Sequence, residues 1–166
     1  SWVIPGTGII LNNRLTGFSL DPASPNIIEP GKRPAHTLNA FTAVNPDGTL
    51  YLVGGTPGAN IQVQTNLQLI TNVVDLKLNV QEATEAPRWQ HLNAPGQSTT
   101  EEAGRGVLEI ENRVPTAVLD ELRAKGHDVK ELAAWGHGSS VQLMQVLPNA
   151  TYAFGSDPRC EGHAAR

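Results

Sequence analysis

The chain has 166 residues, of which 39% are hydrophobic and 17% charged, and its formal net charge is −4. That length gives one domain with a sizeable core, and the balance excludes a disordered chain, a coiled coil and the basic stripe that a nucleic-acid partner requires. No apolar run approaches a membrane span and no charged-then-apolar leader opens the sequence, so no membrane partner is expected. Sixteen glycines and 12 prolines point to strands and turns rather than to a helical bundle. A lone cysteine, Cys160, makes no internal disulfide and leaves the compartment open.

In chain order, Trp2-Val3-Ile4 and Gly8-Ile9-Ile10-Leu11 predict two buried strand pieces joined by a turn at Pro5-Gly6. Asp21 to Pro34 holds Pro22, Pro25, Pro30, Pro34 and Gly31, which requires an ordered loop or crossover. Leu38 to Val44 and Leu50 to Val53 flank Asn45-Pro46-Asp47-Gly48. That is a hairpin signal, because proline presets φ and glycine accepts the left-handed position. Gly54-Gly55-Thr56-Pro57-Gly58 then interrupts the second strand and bares the backbone.

From there the period changes. Ile61, Val63, Leu67, Ile70, Val73 and Val74 recur at helical spacing behind Asn60, the expected N-cap, so residues 60–76 read as a mostly buried helix. A short helix follows over 80–86 and stops before Pro87. Residues 93–106 read as a surface loop, and Val107 to Ile110 as a strand. Pro115 takes the first position of a third helix, with Val118, Leu119 and Leu122 on one face and Gly126 as its stop. Ser140 to Leu147 and Thr151 to Phe154 close the chain as strands around Pro148-Asn149. The order β-β-α-α-β-α-β-β gives helices layered on antiparallel sheet, an α+β fold.

The most informative local feature is Gly54-Gly55-Thr56-Pro57-Gly58-Ala59 before a helix. Such a turn presents unpaired N–H groups at the positive end of a helix dipole, where anions bind. It lacks the Gly-Lys-Ser/Thr ending of a P-loop. A phosphate nest, an oxyanion hole for acyl transfer and a tight turn without function all remain open. His36, His91, His127, His137 and His163 are scattered without zinc-helix spacing, and Cys160 with His163 offers two ligands without a second pair, so no metal is expected. Ser139-Ser140 near His137 lacks a nucleophile elbow and reads as a strand entry. Ser1 reads as an N-terminal nucleophile or simply as a first residue. Arg159, after Ser156-Asp157-Pro158, is expected to pair with a carboxylate and close the C-terminus.

Taken together, Gly6-Thr7-Gly8-Ile9-Ile10-Leu11-Asn12-Asn13, Pro30-Gly31-Lys32-Arg33-Pro34, Gly55-Thr56-Pro57-Gly58, Glu82-Ala83-Thr84-Glu85-Ala86-Pro87-Arg88 and Gly155-Ser156-Asp157-Pro158-Arg159 occur in a telling order. The series resembles the small subunit of gamma-glutamyltransferases, N-terminal nucleophile hydrolases with a four-layer αββα fold. It spans almost the whole chain and implies a single domain over residues 1–166. The resemblance further implies a precursor that cuts itself into a large and a small subunit. The threonine freed at the cut attacks a γ-glutamyl carbonyl, with its own α-amine as base. That threonine precedes the segment matching Ser1, and Ser1 itself matches a strand interior. This chain is therefore expected to lack the nucleophile, as part of a small subunit or as a truncated relative.

Carried over position by position, the family's oxyanion-hole glycines match Gly58 and Ala59, and alanine keeps the needed N–H. The aspartate that holds a substrate α-ammonium matches Gly17, a polar residue before it matches Arg14, and the serine pair that contacts the glutamate carboxylate matches His36 and Thr37. Losing an acid and gaining a cation removes the electrostatic reason to prefer a free α-amino group and favours an anionic acyl group. Phe18-Ser19-Leu20-Asp21-Pro22 with Arg33-Pro34 and His36-Thr37 resembles the acylase-like branch. The implied activity is cleavage of a γ-glutamyl or related acyl amide through an acyl-enzyme, by hydrolysis or acyl transfer, without a cofactor. The implied partners are a large subunit from the same precursor and a small-molecule acyl donor. Two other readings stand beside it: a homologue from antibiotic biosynthesis that cleaves a carbon–carbon bond, and a noncatalytic fragment.

Overall fold

The computed structural model describes residues 2–92 and 106–162. Ser1, His163 and the expected 93–106 loop apart from Gly106 lie outside the described residues. The chain divides into two units, Ser1–Leu38 and Asn39–Arg166.

In the first unit the expected turn forms. Val3 and Ile10 make one antiparallel bridge, Ile4 N donates to Ile9 O at 2.9 Å, and Gly6 takes a φ of 77°. The flanking pieces are not buried: Trp2, Val3, Ile9 and Ile10 are all exposed. A single bridge builds no sheet, so these side chains have no layer of their own unit to lie against. A 3-10 turn follows over Arg14–Gly17, and the proline-rich stretch is an ordered loop, pinned by a parallel bridge between Ser19 and Ile27.

The second unit opens with the expected hairpin of β1 (Phe41–Val44) and β2 (Leu50–Gly55), closed at Gly48 with φ 83°. Next come α1 (Gln62–Val74), α2 (Val80–Glu85), β3 (Trp89–Leu92) and β4 (Val107–Glu111). After these come α3 (Thr116–Ala124), β5 (Asp128–Leu132), β6 (Gln142–Val146) and β7 (Tyr152–Ser156). One sheet runs β1-β2-β6-β7, antiparallel throughout; the other runs β3-β4-β5. In the second sheet β4 and β5 are parallel, so the purely antiparallel expectation holds only for the first. The parallel pair is possible because α3 carries the chain back to the same end of the sheet. Pro115 is the N-cap of α3 rather than its first helical residue, and Gly126, at φ 90°, terminates it as expected.

The core lies between the four-stranded sheet and helices α1 and α2. Leu52, Leu69, Val73, Val80, Ala83, Val141 and Leu143 form it. A Cβ on Gly155 would lie 2.3 Å from Val80 O, so glycine there lets α2 settle directly on β7. The opposite face of this sheet carries Val53, Met144 and Phe154 in register, lining a shallow cavity of about 530 Å³. Nothing described of the second unit covers it, and Tyr152 and Phe154 stay exposed.

Helix α1 departs from its expected face. Its buried residues are Gln62, Thr65, Asn66, Leu69 and Val73, whereas Val63 and Leu67 are exposed. Gln62 and Asn66 turn inward because they replace missing backbone partners, whereas the buried Thr65 hydroxyl bonds to nothing among the described residues. Gln62 Oε1 accepts from Asn39 N at 3.1 Å, and Asn66 Nδ2 donates to Asn39 O. Gln64 and Gln68 do the same for the edge of β3. Gln64 accepts from His91 N at 2.7 Å and donates to His91 O at 3.0 Å, and Gln68 accepts from Trp89 N at 3.1 Å and donates to Trp89 O at 2.8 Å. Two glutamines one helical turn apart thus meet alternate residues of a strand. Helix α2 is set by a capping box between Asn79 and Glu82 and ends at Ala86, whose extended backbone is what a following proline requires.

Gln68→Ala should leave two half-buried backbone groups of Trp89 unpaired and destabilise the fold by about 1–3 kcal/mol. Denaturant unfolding of the variant beside Val63→Ala checks this, since Val63 faces outward and should shift the midpoint far less.

Candidate functional site

The glycine-rich turn leaves β2 at Gly55 and enters α1 through a 3-10 turn over Ala59–Ile61. Gly58 has φ 139° and Ala59 φ 48°. The capping positions are Gly58 for the 3-10 turn and Ile61 for α1, neither with a side-chain cap bond, so the helix starts after Asn60 rather than from it. The first N–H groups of a helical segment have no acceptor within it. Among the described residues the amides of Gly58 and Ala59 donate to no acceptor. Two adjacent free donors at the positive end of α1 are chemically suited to an anion. The sequence suggests that a side chain at residue 58 crowds an acyl group. The structure supplies a nearer reason for glycine: a Cβ there would meet Ile61 Cγ1 at 2.6 Å, on a φ that L residues rarely take.

Within the first unit, Arg14, Arg33 and His36 line one cavity of about 550 Å³ together with Leu11, Leu15 and Leu38. Arg33 was not singled out by the sequence as a substrate contact, although it lies in the quoted Pro30–Pro34 segment. Gly17 does not line the cavity. A Cβ at that position would stand 2.7 Å from Ala35 O, so the backbone leaves no room for an acidic side chain without moving. Thr37 is half-buried and also lies off the cavity wall.

A buried charge network stands behind the turn. Asp157 accepts from Arg88 at 2.6 Å and from Arg159 at 2.9 Å; Glu111 accepts from Arg159 and from Arg113, each at 2.6 Å. The expected pairing of Arg159 is therefore present, and it is fully enclosed. Arg88 and Arg159 also donate to Thr84 O, and Arg159 to Ala86 O, closing the bare carbonyls at the end of α2. Trp135 lies against Arg113, with 3.5 Å between guanidinium and ring, and covers Arg159 at 5.1 Å. Sequence reasoning did not find Arg88, Glu111 or Arg113 as a group. The available signals were two arginines each directly after a proline and two glutamates in an apolar strand.

Ser139 and His137 belong to this network and not to a hydrolytic site. Both are buried, Ser139 Oγ accepts from Arg88 at 2.7 Å, and His137 Nδ1 accepts from Ser139 N at 3.1 Å. The Ser139 proton then points to Nδ1, 2.7 Å away, which leaves the ring proton on Nε2 without a partner. Burial, followed by the charge of Arg88, pushes the His137 pKa down to about 4. For Glu111 burial works the other way, but the bonds from Arg159 and Arg113 outweigh it and hold its pKa near 2. Asp157 is likewise lowered: burial opposes its charge, and Arg88 and the Val141 amide overcome it. Among the described residues no group of histidine, cysteine and carboxylate side chains is arranged to hold a metal.

The fold and these motifs together define a member of a known enzyme family. The family model described as gamma-glutamyltranspeptidase matches residues 1–166. The oxamate amidohydrolase proenzyme of Klebsiella pneumoniae is 37% identical over 167 residues, covering 98% of this chain and 30% of that protein. The glutathione hydrolase proenzyme of Escherichia coli is 35% identical over 163 residues, covering 92% of this chain and 26% of that protein. Among solved structures, the cephalosporin acylase from Bacillus halodurans superposes with a TM-score of 0.77 at 32% identity, covering 97% of this chain and 29% of that one. The chain belongs to the gamma-glutamyltranspeptidase family of N-terminal nucleophile hydrolases, matching its small-subunit portion. It spans less than a third of the length of the relatives just named.

Two tests follow from the site itself. The folded state resists protonating His137 between its ordinary value of 6.5 and about 4, and Glu111 between 4.5 and about 2. The unfolded chain binds those protons first, so stability should fall as pH drops from about 6.5, continuing to about 2. The Glu111 part corresponds to about 3 kcal/mol, and unfolding midpoints measured across that range check it. Separately, Ala59→Gly keeps the amide and relieves a left-handed alanine, so it should stabilise by about 0.5–1 kcal/mol in thermal unfolding.

Proposed function

We propose that the chain serves an amide-cleaving N-terminal nucleophile hydrolase in two ways, one from each unit. The turn at Gly58 and Ala59 stabilises the oxyanion of the tetrahedral intermediates, and the first unit recognises a carboxylate on the acyl donor. The nucleophilic threonine comes from the remainder of the precursor, as does a large subunit that covers the open face at Val53, Met144 and Phe154. The observation that carries the reading is the pair of unbonded adjacent amides at the head of α1. In the reaction the threonine oxygen adds to the amide carbonyl, charge gathers on the carbonyl oxygen, and the two N–H groups meet it. Collapse expels the amine and leaves an acyl-enzyme, which water or an acceptor amine releases through a second intermediate of the same shape.

For the donor, Arg14, Arg33 and His36 around one cavity favour an anion. The absence of room for an acid at Gly17 removes a counter-charge for an α-ammonium. The similarity to a protein named for oxamate, an amide bearing a carboxylate, supports the same class. The substrate class is therefore an amide whose acyl part carries a carboxylate and no amino group.

In the mature enzyme, a glutaryl amide should exceed the corresponding γ-glutamyl amide in kcat/KM by about ten- to a hundredfold, the size of one charge-assisted bond. Arg14→Gln should narrow that ratio. A γ-glutamyl donor that clearly wins sinks the substrate assignment. Gly58→Ala, which disturbs the turn, should slow acylation by about 10²-fold; an unchanged rate in assembled protein removes the turn from the chemistry.

A further inference from the structure

We infer that Thr56 is a positioning residue whose hydroxyl latches the Pro57–Gly58 peptide so that the Gly58 amide stays turned outward. The inference rests on the oxyanion reading of Gly58 and Ala59 and assigns that reading its control element.

The geometry is short and complete. Thr56 is the first residue beyond β2 and is 8% exposed, so water does not compete for its hydroxyl. Its Oγ1 accepts from Ser140 N at 3.0 Å, a side-chain bond that ties the end of β2 to the segment leading into β6, beyond the Gly55–Gln142 rung. The hydroxyl has one proton to give, and it goes to Pro57 O at 2.7 Å. The Pro57–Gly58 peptide is trans, like every described peptide bond, and a trans peptide points its C=O and N–H in opposite directions. Holding Pro57 O therefore fixes the direction of the Gly58 N–H.

Glycine makes such a latch necessary. Rotating this peptide changes ψ at Pro57 and φ at Gly58, and glycine tolerates φ of either sign. A flipped peptide would aim the Pro57 carbonyl at the place where an oxyanion forms and would repel it. Nothing else among the described residues bonds Pro57 O. The other end of the latch is rigid. Ser140 follows Ser139, held by Arg88 and His137, and precedes Val141, whose N–H donates to Asp157 at 2.9 Å.

The test uses the complete mature enzyme, with rates normalised to the count of acyl-enzyme formed. Thr56→Val keeps the shape and removes the hydroxyl. It should lower kcat by about ten- to a hundredfold, short of the loss of a whole donor, while KM stays within about threefold. Thr56→Ser returns the hydroxyl and should recover kcat to within about threefold, with Thr56→Cys, a weaker donor, falling between them. Should the valine variant not assemble, the order of the serine and cysteine variants decides. A valine variant with unaltered kcat overturns the latch, and if Gly58→Ala is slow in the same assay the oxyanion reading survives alone. A slow valine variant that serine does not rescue also overturns it, since the methyl group rather than the hydroxyl is then at work. If neither Thr56→Val nor Gly58→Ala slows the enzyme, both readings fall together.

Discussion

Five linked charges, four of them buried from solvent, brace the second unit. Arg88, Arg113 and Arg159 face Glu111 and Asp157, and the arginines and acids at the centre are at most 2% exposed in their side chains, Arg113 alone reaching solvent. Burying an ion pair costs several kcal/mol per ion and is repaid only when nearly every lone pair and proton finds a partner. Here they do. Glu111 also accepts from the Arg88 and His137 amides, Asp157 from the Val141 and Arg159 amides, and the guanidinium groups reach the last carbonyls of α2. One cluster thereby fixes the end of β4, the exit of α2, the entry of β6 and the end of β7. Such a cluster is intolerant of partial loss, because removing one member strands the others in a dry interior.

From this anchor the order passes outward to the glycine-rich turn. The segment Ser139-Ser140-Val141 is bonded to the network on both sides of Ser140, and the Ser140 amide is what the turn leans on. Flexible residues are required at Gly58 for a conformation that side chains reject, yet a donor is useful only when it points one way. The fold reconciles these demands by separating them. Gly58 supplies the unusual backbone, and the neighbouring threonine supplies its direction.

Much of this was legible in the sequence and some was not, for physical reasons. The Pro-Asp-Gly hairpin, the stop at Gly126, the turn into α1 and the pairing of Arg159 rest on local chemistry, which the sequence carries directly. The inward face of α1 was misread because glutamine and asparagine there substitute for backbone partners, which periodicity of apolar residues does not register. Strands β3 and β5 were missed for a related reason. Trp89-Gln90-His91-Leu92 takes part of its pairing from glutamine side chains, and Asp128-Val129-Lys130-Glu131-Leu132 is a largely exposed edge that reads as polar. The N-terminal apolar pieces were expected to be buried, but burial is a property of the whole assembly and not of the segment. For the candidate site, the turn at Gly58 and Ala59 was marked by its glycines, whereas the nearness of Ala35 O to Gly17 depends on a chain reversal that no local pattern encodes.

The glutamine pairs on α1 have one more consequence, which concerns what the sheets refuse. An open strand edge is a template on which any extended chain can add itself. In the three-stranded sheet the two edges are β3 and β5. The amide ends of Gln64 and Gln68 occupy the outer hydrogen-bonding groups of Trp89 and His91, and β5 presents Asp128, Lys130 and Glu131. Neither margin invites a stray strand. The three-stranded sheet is thereby guarded on both sides against the sideways growth that ends in aggregates.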